Sequence, residues 1–363
     1  MRPRVVLVGP LPPPSGGMAN QTEQLARLLG ESGLEVRTVQ NNAPYRPHWI
    51  GMVPVLRAGF RMVPYVVSLW RALRDADVVH VMANSGWAWH LMAAPAVRIA
   101  RLRGVPVVVN YRGGEADPFL RRHASWVRST LRLAQALIVP SGYLQSVFSR
   151  HGIAAEIVPN IIDLTRFSPA SGRSRRPHLV VTRNLEDIYD IPTALRALLR
   201  VRQRFALAHL TIAGSGPRRA ALEQLAAELG VRQAVTFTGR LDNEQVAALY
   251  RNADLLLNPS TVDNMPNSLL EAMASGVPIV STGVGGIPFL VEHERTALLV
   301  PPGDPGAMAI AALRVLEDDA LRATLVGAGL DACRAYTWER VQPRLFAAYA
   351  KCAGRPMLKE SAP

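Results

Sequence analysis

The stretch LLLNPSTVDNMPNSLLEAMASGVPIVS, residues 255–281, decides the fold that we expect for this chain. It begins with an apolar run at 255–258, which predicts a strand, and it ends with a second apolar run at 279–281. Between them, residues 267–275 have the pattern of a helix that Gly276 ends. Two short apolar strands joined by one helix are typical of a βαβ unit, in which the strands are parallel.

The same alternation of strand and helix runs through the rest of the chain and predicts two domains. The remaining predicted strands are 5–8, 35–39, 78–81, 105–110, 136–139 and 156–158, then 179–182, 210–213, 235–238 and 297–300. The pattern is interrupted only within 161–177, which is basic and rich in turn residues. We therefore expect an α/β protein with two Rossmann-like, doubly wound parallel-sheet domains, at 1–168 and 177–336. The apolar spacing of 337–352 predicts a helix that packs back on the first domain.

Composition excludes several classes of protein. The chain has 363 residues, of which 49% are hydrophobic and 19% charged, so it is neither disordered nor fibrous. Cys333 and Cys352 are too few for a disulfide framework and lack zinc spacing. The charge-free stretches 78–97 and 272–291 are interrupted by His, Gly or Pro, so neither predicts a membrane helix. We expect a cytoplasmic protein, peripheral at most on the inner face of the cell membrane.

The net charge of +13 is uneven, with +10 in residues 1–172 and +3 in 173–363. This asymmetry predicts an anionic partner for the first half. Residues 49–74 combine aromatic and aliphatic side chains with arginines, which fits either an anionic membrane surface or an ordinary helix with exposed arginines. No nucleic-acid-binding motif accompanies the charge, so we expect no nucleic acid.

Two segments have the features of phosphate or sugar sites. Gly16 and Gly17 lie at a predicted helix start after the first strand, which suits a phosphate but equally an ordinary turn. Asp263 and Glu271 lie eight residues apart, one in a loop and one in the first turns of the following helix. Together with the helix amides they are able to hold a diphosphate and two hydroxyl-bearing groups, or they are an ordinary surface loop and an exposed Glu.

A series of short motifs in the second half resembles, in its order, the retaining GT-B glycosyltransferases of family 4. The motifs are IAGSGP at 212–217, FTGR at 237–240, NPS at 258–260, the segment 263–276, GGIP at 285–288 and LLVPPG at 298–303, with VPNIID at 158–163 before them. The resemblance implies a GT-B fold whose two domains face a central cleft. It also implies transfer of a sugar from a nucleoside-diphosphate-sugar, with no further cofactor.

The resemblance implies roles for individual residues. Glu271 holds the ribose of the donor, and Asp263 takes the place of the first Glu of the family's E-x7-E pattern, which contacts the transferred sugar. The main-chain amides of Asn267, Ser268 and Leu269 receive the donor phosphates, and Arg183 lies on the diphosphate. Gly214 and Gly216, like Gly16 and Gly17, allow the donor to approach the backbone.

Two departures from the family pattern concern charge. The family has a Lys five or six residues after the Arg, whereas residues 184–189 contain none. Arg112 takes the position of a family His, and we hypothesise that it restores a positive charge at the diphosphate; otherwise it is a solvated or salt-bridged loop residue. Asp75-Ala76-Asp77 precedes its strand instead of following it, so we expect no metal site there.

The expected function is transfer of a hexose-type sugar to a hydroxyl group of a glycan or lipid-linked acceptor held by the first domain, in polysaccharide or glycolipid assembly. His80, His90 and His151 are candidate acceptor-site bases, although such histidines are more often structural. A sugar-nucleotide epimerase or hydrolase and a non-catalytic nucleotide-sugar binder are the alternatives.

Overall fold

The computed structural model describes residues 2–13, 16–43, 54–169 and 176–357, and it gives the backbone alone for 54–59. The chain forms two compact units: unit 1 comprises Met1–Asn160 and Val341–Pro363, and unit 2 comprises Ile161–Arg340. Part of the predicted membrane segment, 49–53, and most of the predicted linker, 170–175, lie outside the described residues.

Unit 1 is built on a six-stranded sheet that is parallel throughout. Its strands are β1 (Arg4–Gly9), β2 (Glu35–Gln40), β3 (Val78–Ala83), β4 (Val107–Tyr111), β5 (Ala136–Val139) and β6 (Glu156–Ile157), in the order β2-β1-β3-β4-β5-β6. The apolar side chains of β1 are fully buried, since β2 and β3 flank the strand and helices cover the sheet. Strands buried on both faces have continuous apolar sequences, as these do.

The helices of unit 1 follow its strands in alternation. They are α1 (Gly17–Glu31), α2 (Pro54–Ala72), α3 (Ala94–Leu102), α4 (Ala116–Leu131) and α5 (Gly142–Arg150). The buried faces of α2 to α5 share one hydrophobic core with one face of the sheet, in which Trp89, Tyr111 and Phe148 are the largest fully buried side chains. The buried side chains of α1 are not part of that core.

Unit 2 repeats this architecture. Its parallel strands are β7 (His178–Val181), β8 (His209–Ala213), β9 (Val235–Gly239), β10 (Leu255–Asn258), β11 (Ile279–Thr282) and β12 (Leu298–Val300), in the order β12-β11-β10-β7-β8-β9. Its helices are α6 (Ile191–Arg204), α7 (Arg219–Glu228), α8 (Asn243–Arg251), α9 (Asn267–Ala274), α10 (Pro305–Glu317) and α11 (Asp319–Cys333).

The sheet of unit 2 has a hydrophobic core on each face. Leu255 and Leu257 of β10 belong to one core and Leu256 belongs to the other, because successive side chains of a strand point to opposite faces. α6 and α10 pack into the first core and α9 packs into the second. The prediction of two Rossmann-like, doubly wound parallel sheets is therefore confirmed.

The boundary between the two units differs from the predicted domain boundary. Residues 161–168, which we had assigned to the first domain, belong to unit 2. The reason is burial: Ile162 and Phe167 lie in the core of unit 2 that contains α9, and the amide of Ile162 donates to the carbonyl of Tyr336 at 2.9 Å.

The last helix, α12 (Trp338–Ala353), belongs to unit 1 from Val341 onward. Its Tyr349 hydroxyl lies 2.7 Å from Nδ1 of His80 on β3, and Lys351 pairs with Glu156 at 2.7 Å. Among the described residues, no helix combines the length and the apolar character that crossing a bilayer requires.

Candidate active site

The strand order of unit 2 creates a topological switch point between β7 and β10. From β7 the chain proceeds outward through β8 and β9, then returns to β10 and proceeds to the opposite edge. Ligands of open parallel sheets bind at the carboxyl ends of the strands at such a point. Arg183 follows β7 by two residues and Asp263 follows β10 by five, so the fold brings both residues to this edge.

Arg183 and Asp263 form an ion pair at the switch point. An Nη2–H of Arg183 donates to Oδ2 of Asp263, and both side chains are only 12% exposed. The Nε–H of Arg183 donates to Oδ1 of Asn258 at 2.9 Å, and its guanidinium lies 5.1 Å from the ring centroid of Tyr189. The sequence assigned the two charges to different parts of a ligand and did not predict that they pair with each other.

A buried polar network fixes Asn258, which the sequence analysis did not single out. Its Nδ2 donates to the hydroxyl of Ser281 at 2.9 Å, and the Ser260 hydroxyl donates to its Oδ1 at 3.1 Å. Thr282 in turn donates to the carbonyl of Ser260 at 2.6 Å. Since buried polar groups that are fully paired hold one geometry, this network orients the acceptor oxygen that Arg183 uses.

The Asp263 carboxyl group is subject to opposing influences. Burial raises its pKa, whereas the Arg183 guanidinium and the backbone amide of Asn264, which donates at 2.9 Å, lower it. The contact with Arg183 favours the charged form of Asp263, because a buried carboxylate is stable only when it is paired.

Helix α9 begins beside this pair with Pro266 as its N-cap, and no side chain caps it. The amide of Leu269 donates to the Pro266 carbonyl at 3.2 Å, so this predicted phosphate donor already has a partner within the helix start. Ser268 is buried at 4% exposure and Asn267 is half-buried. The amides of Asn267 and Ser268 therefore remain the predicted phosphate contacts.

Glu271 lies one turn into α9 and is half-buried. Among the described residues, its carboxylate has neither a hydrogen-bond partner nor an ion-pair partner. Burial raises the pKa of Glu271 to about 7, although the positive charges of Arg183 and Arg166 lower it. A carboxyl group that has no partner, has a pKa near neutral pH and lies near a helix start is available to a ligand.

Gly214 and Gly216 have a structural role that the sequence analysis did not foresee. A Cβ at Gly214 would overlap the carbonyl oxygen of Arg183, and one at Gly216 would overlap that of Leu185. The loop after β8 therefore packs directly on the loop after β7, and only glycine permits this contact. The approach of a donor to these two glycines stays a prediction.

In unit 1, Gly16 is the N-cap of α1 with extended backbone angles, and a Cβ there would meet nothing within 4 Å. Gly17 is the first residue of the helix. The predicted phosphate contact of Gly16 and Gly17 stays a prediction.

Arg112 lies directly after β4, where an Nη2–H of its guanidinium donates to Oδ1 of Asn160 and its backbone amide donates to Ala83 at 2.9 Å. Burial lowers the pKa of Arg112 to about 10, so the side chain is still charged at neutral pH. Its predicted role at a donor diphosphate stays a prediction.

His80 is fully buried in β3 and has a structural role. Its Nδ1 contacts Tyr349 at 2.7 Å and its Nε2 contacts Nδ2 of Asn110 at 3.1 Å. Burial and the positive charge of Arg112 together lower the pKa of His80 to about 3. Because both nitrogens have partners, His80 is not the acceptor-site base that the sequence allowed.

Asp75 and Asp77 lie between α2 and β3. Asp77 accepts the backbone amide of Arg4 at 2.7 Å and pairs with Arg355, and Asp75 lies 3.8 Å from Arg4. Both carboxylates thus contact Arg4, at the start of the interior strand β1. Within the described ranges, no three His, Cys, Asp or Glu side chains come together as metal ligands.

Comparison with known proteins assigns both units to one group of enzymes. Residues 15–166 match the family model described as Glycosyltransferase Family 4, and residues 176–318 match the model described as Glycosyl transferases group 1. An uncharacterised glycosyltransferase of Methanocaldococcus jannaschii is 36% identical over 40% of this chain, and the match spans only 38% of that relative.

A second relative is similar along nearly its whole length. The GDP-mannose-dependent alpha-(1-6)-phosphatidylinositol monomannoside mannosyltransferase of Mycobacterium tuberculosis is 30% identical, over 94% of this chain and 97% of that protein. Among solved structures, HepE of Anabaena, crystallised with UDP and glucose, superposes with a TM-score of 0.72 at 18% identity, over 94% of this chain and 97% of that one. The last likeness concerns the fold, which is GT-B.

The raised pKa of Glu271 predicts a pH-dependent stability difference in the variant Glu271→Gln. The unfolded chain ionises this carboxyl near its usual value of 4.5 and the folded chain only near 7, so stability falls as the pH rises through that interval. Gln removes this loss, and we expect the variant to unfold with a free energy higher by on the order of 2 kcal/mol at pH 8. At pH 4.5 the two proteins should be alike in urea unfolding.

The control is Glu339→Gln, at an exposed position of α12, which should leave stability unchanged at both pH values. A difference between Glu271→Gln and the natural chain that does not vary with pH would contradict the assignment.

Proposed function

The chain belongs to glycosyltransferase family 4, and on that premise we propose that it transfers a sugar from a nucleoside-diphosphate-sugar to a hydroxyl group of a glycan or lipid-linked acceptor. One observation carries the proposal: Arg183, Asp263, Glu271 and the uncapped start of α9 converge at the switch point of unit 2. A cation, a helix N-terminus and a carboxyl group without a partner are complementary to a diphosphate that is linked to a ribose.

In the proposed complex the diphosphate lies at the start of α9, against the amides of Asn267 and Ser268. Arg183 has donors beyond those that bind Asn258 and Asp263, so it contacts a phosphate oxygen without leaving its ion pair. Glu271 binds the ribose hydroxyls, and the second oxygen of Asp263 accepts a hydroxyl of the transferred sugar.

We assign a retaining mechanism on the family resemblance. The bond between the anomeric carbon and the diphosphate oxygen breaks, and the acceptor oxygen bonds to that carbon on the same face. The acceptor's proton passes to the departing phosphate oxygen, which yields the nucleoside diphosphate. Asp263 is held by Arg183, so it orients the sugar and does not attack it. Arg183 and the helix amides stabilise the charge that develops on the phosphate.

The acceptor and the donor base are suggested by relatives. The mannosyltransferase of M. tuberculosis is named for GDP-mannose and a phosphatidylinositol mannoside, and the Anabaena structure holds UDP and glucose. The donors and the acceptor named for these two proteins fit a role of this chain in polysaccharide or glycolipid assembly. A thermal-shift screen of UDP-, GDP- and ADP-sugars selects the donor, because a ligand that binds the folded chain raises its melting temperature.

The central test is Arg183→Lys. Lysine keeps the charge that Asp263 needs but lacks the planar fork that serves Asn258, Asp263 and a phosphate together. We expect the donor-dependent release of nucleoside diphosphate to fall by about 10²–10³-fold. The control Arg204→Lys changes an exposed arginine of α6 that pairs with Glu317, and it should behave as the natural chain.

The same assay separates the alternatives. Nucleoside diphosphate release that requires a hydroxyl acceptor supports a transferase, and release without one supports an epimerase or hydrolase. Donor binding without any release supports a non-catalytic binder, the alternative that the missing Lys after Arg183 favours.

The proposed mechanism assigns neutralisation of the diphosphate to Arg183 and the helix amides, and it gives no role to a metal ion. We therefore predict that turnover in excess EDTA equals turnover in Mg²⁺. A rate that EDTA abolishes and Mg²⁺ restores would contradict this division of roles.

A stripe on α2 supports association with an anionic membrane surface. Phe60, Val63 and Val67 are exposed along one face of the helix, and Trp70 follows at 46% exposure. Arg71 lies on the same face by helical spacing, and Arg74 follows in the 3₁₀ turn Leu73–Asp75 directly after α2. Both arginines are exposed and are counted here with the α2 stripe. Apolar side chains that are bordered by arginines fit a bilayer interface with anionic lipids. The part of the predicted segment before residue 54 lies outside the described residues.

We predict that the chain sediments with phosphatidylglycerol vesicles and much less with phosphatidylcholine vesicles. Since a surface arginine contributes about 1 kcal/mol to such binding, Arg71→Gln and Arg74→Gln should each weaken it about fivefold. Arg204→Gln, in unit 2, is the matched control. Equal, negligible binding to both kinds of vesicle would refute the membrane proposal and leave the transferase proposal intact.

A further inference from the structure

Unit 1 carries a partly exposed cluster of rings, which we call the aromatic cluster. Its members are Trp87, His90, Phe119, His123 and Trp126. His90 is central: its ring centroid lies 5.1 Å from that of His123 and 5.4 Å from that of Trp126. Phe119 and Trp87 are 5.8 and 6.3 Å away from it.

The aromatic cluster lies on two chain segments that follow the carboxyl ends of neighbouring strands. Trp87 follows the end of β3 by four residues, and the other rings lie on the next turn of the chain and on α4, which follows β4. β3 and β4 are neighbours in the middle of the sheet, and loops at the carboxyl ends of parallel strands bind ligands. His90 also belongs to a single π-helical turn, Trp89–Ala93, and such turns are frequent at functional sites.

The cluster combines flat apolar faces with hydrogen-bonding groups that have no partner. Trp87 is 77% exposed and Trp126 is 54% exposed, which leaves two large ring systems against water. Among the described residues, the ring nitrogens of His90 and His123 form no hydrogen bond. A ligand that covers both indoles and pairs with both imidazoles would satisfy the whole cluster.

The electrostatics of the cluster favour a hydroxyl-bearing ligand. Burial lowers the pKa of His90, and the charges of His123 and Arg98 lower it further, which favours the neutral imidazole. A neutral imidazole has one donor and one acceptor nitrogen, which together match a hydroxyl group. No member of the cluster is a carboxylate or a guanidinium. The exposed arginines Arg71 and Arg74 belong instead to the α2 stripe.

We infer that the aromatic cluster binds a pyranose ring of the acceptor. The C–H face of the sugar stacks on the indoles of Trp87 and Trp126, and its hydroxyls bond to the ring nitrogens of His90 and His123. This inference rests on the proposed function in one respect: it takes the bound sugar to be the acceptor.

The first experiment detects the sugar without any donor. Saturation-transfer NMR of the full-length chain is recorded with the methyl pyranosides of glucose, mannose, galactose and N-acetylglucosamine, and with glycerol as a hydroxyl-bearing molecule that has no ring. We expect saturation of the ring C–H protons of at least one pyranoside and none for glycerol. Trp126→Ala and Trp87→Ala should each reduce that transfer at least fivefold, and Ile310→Ala, at an exposed position of α10, should not.

The hydrogen-bonding part is tested by His90→Phe, which keeps a ring and removes both nitrogens. We expect it to weaken binding of the same pyranoside at least fivefold. Because Trp87 and Trp126 are exposed, their replacement should leave the melting temperature within a few degrees of that of the natural chain.

The second experiment connects the cluster to transfer. With the donor and a saccharide acceptor, Trp87→Ala and Trp126→Ala should raise the acceptor KM at least tenfold and leave the affinity for the nucleotide-sugar unchanged. An unchanged acceptor KM in both variants, or binding of vesicles but of no pyranoside, overturns the inference while the proposed function stands. A chain that binds pyranosides at the cluster but no nucleotide-sugar refutes the proposed function instead.

Discussion

The ion pair between Arg183 and Asp263 is the interaction on which the rest of the site depends. It joins the loop after β7 to the loop after β10, and these strands adjoin at the switch point of unit 2. Both groups are withdrawn from water, so neither is stable at its position without the other. Removing one partner of such a pair typically costs about 3–5 kcal/mol, because the remaining charge is left buried. The pair thus fixes the path of the chain into α9.

Close backbone contacts hold the loops that carry Arg183 and Asp263 in fixed positions. Gly214 packs on the carbonyl of Arg183, and Gly285 and Gly286 pack on the carbonyls of Asp263 and Asn264. The amide of Gly286 also donates to the carbonyl of Asp263 at 2.9 Å. Loops that follow four different strands are therefore held together by their main chains. In such an arrangement the two charged side chains have little freedom to adopt other positions, which is the preorganisation that the proposed binding of a diphosphate would need.

The sequence predicted most of the fold because apolar periodicity is a local property. All twelve predicted strands are present, with ends that differ by at most two residues. Helix α11 was not assigned, since its apolar residues follow no clear helical stripe and it contains Gly327 and Gly329. The sequence predicted the end of the first domain at residue 168, because the turn-rich segment 161–177 shows no strand or helix pattern. Only the structure shows that Ile162 and Phe167, within this segment, are buried in the core of unit 2.

Within the site, the sequence singled out Arg183, Asp263 and Glu271 but not their relations. Eighty residues separate Arg183 from Asp263, and only the strand order brings them into contact. Asn258 is the last residue of an apolar strand, and its importance follows from the neighbours that it meets, not from its own sequence context. For the same reason His80, a plausible base by residue type, turned out to have both nitrogens engaged.

The two units place their charges in physically different settings. In unit 2 the charges of Arg183 and Asp263 are buried and paired, so salt screens them weakly. In unit 1 the excess of positive charge includes exposed arginines such as Arg71 and Arg74, whose attraction to anions weakens within a Debye length of about 8 Å at physiological ionic strength. The proposed donor binding at the switch point of unit 2 should then resist salt, while the proposed association through α2 should be sensitive to it. The two proposals of donor binding and membrane association therefore predict opposite responses to salt.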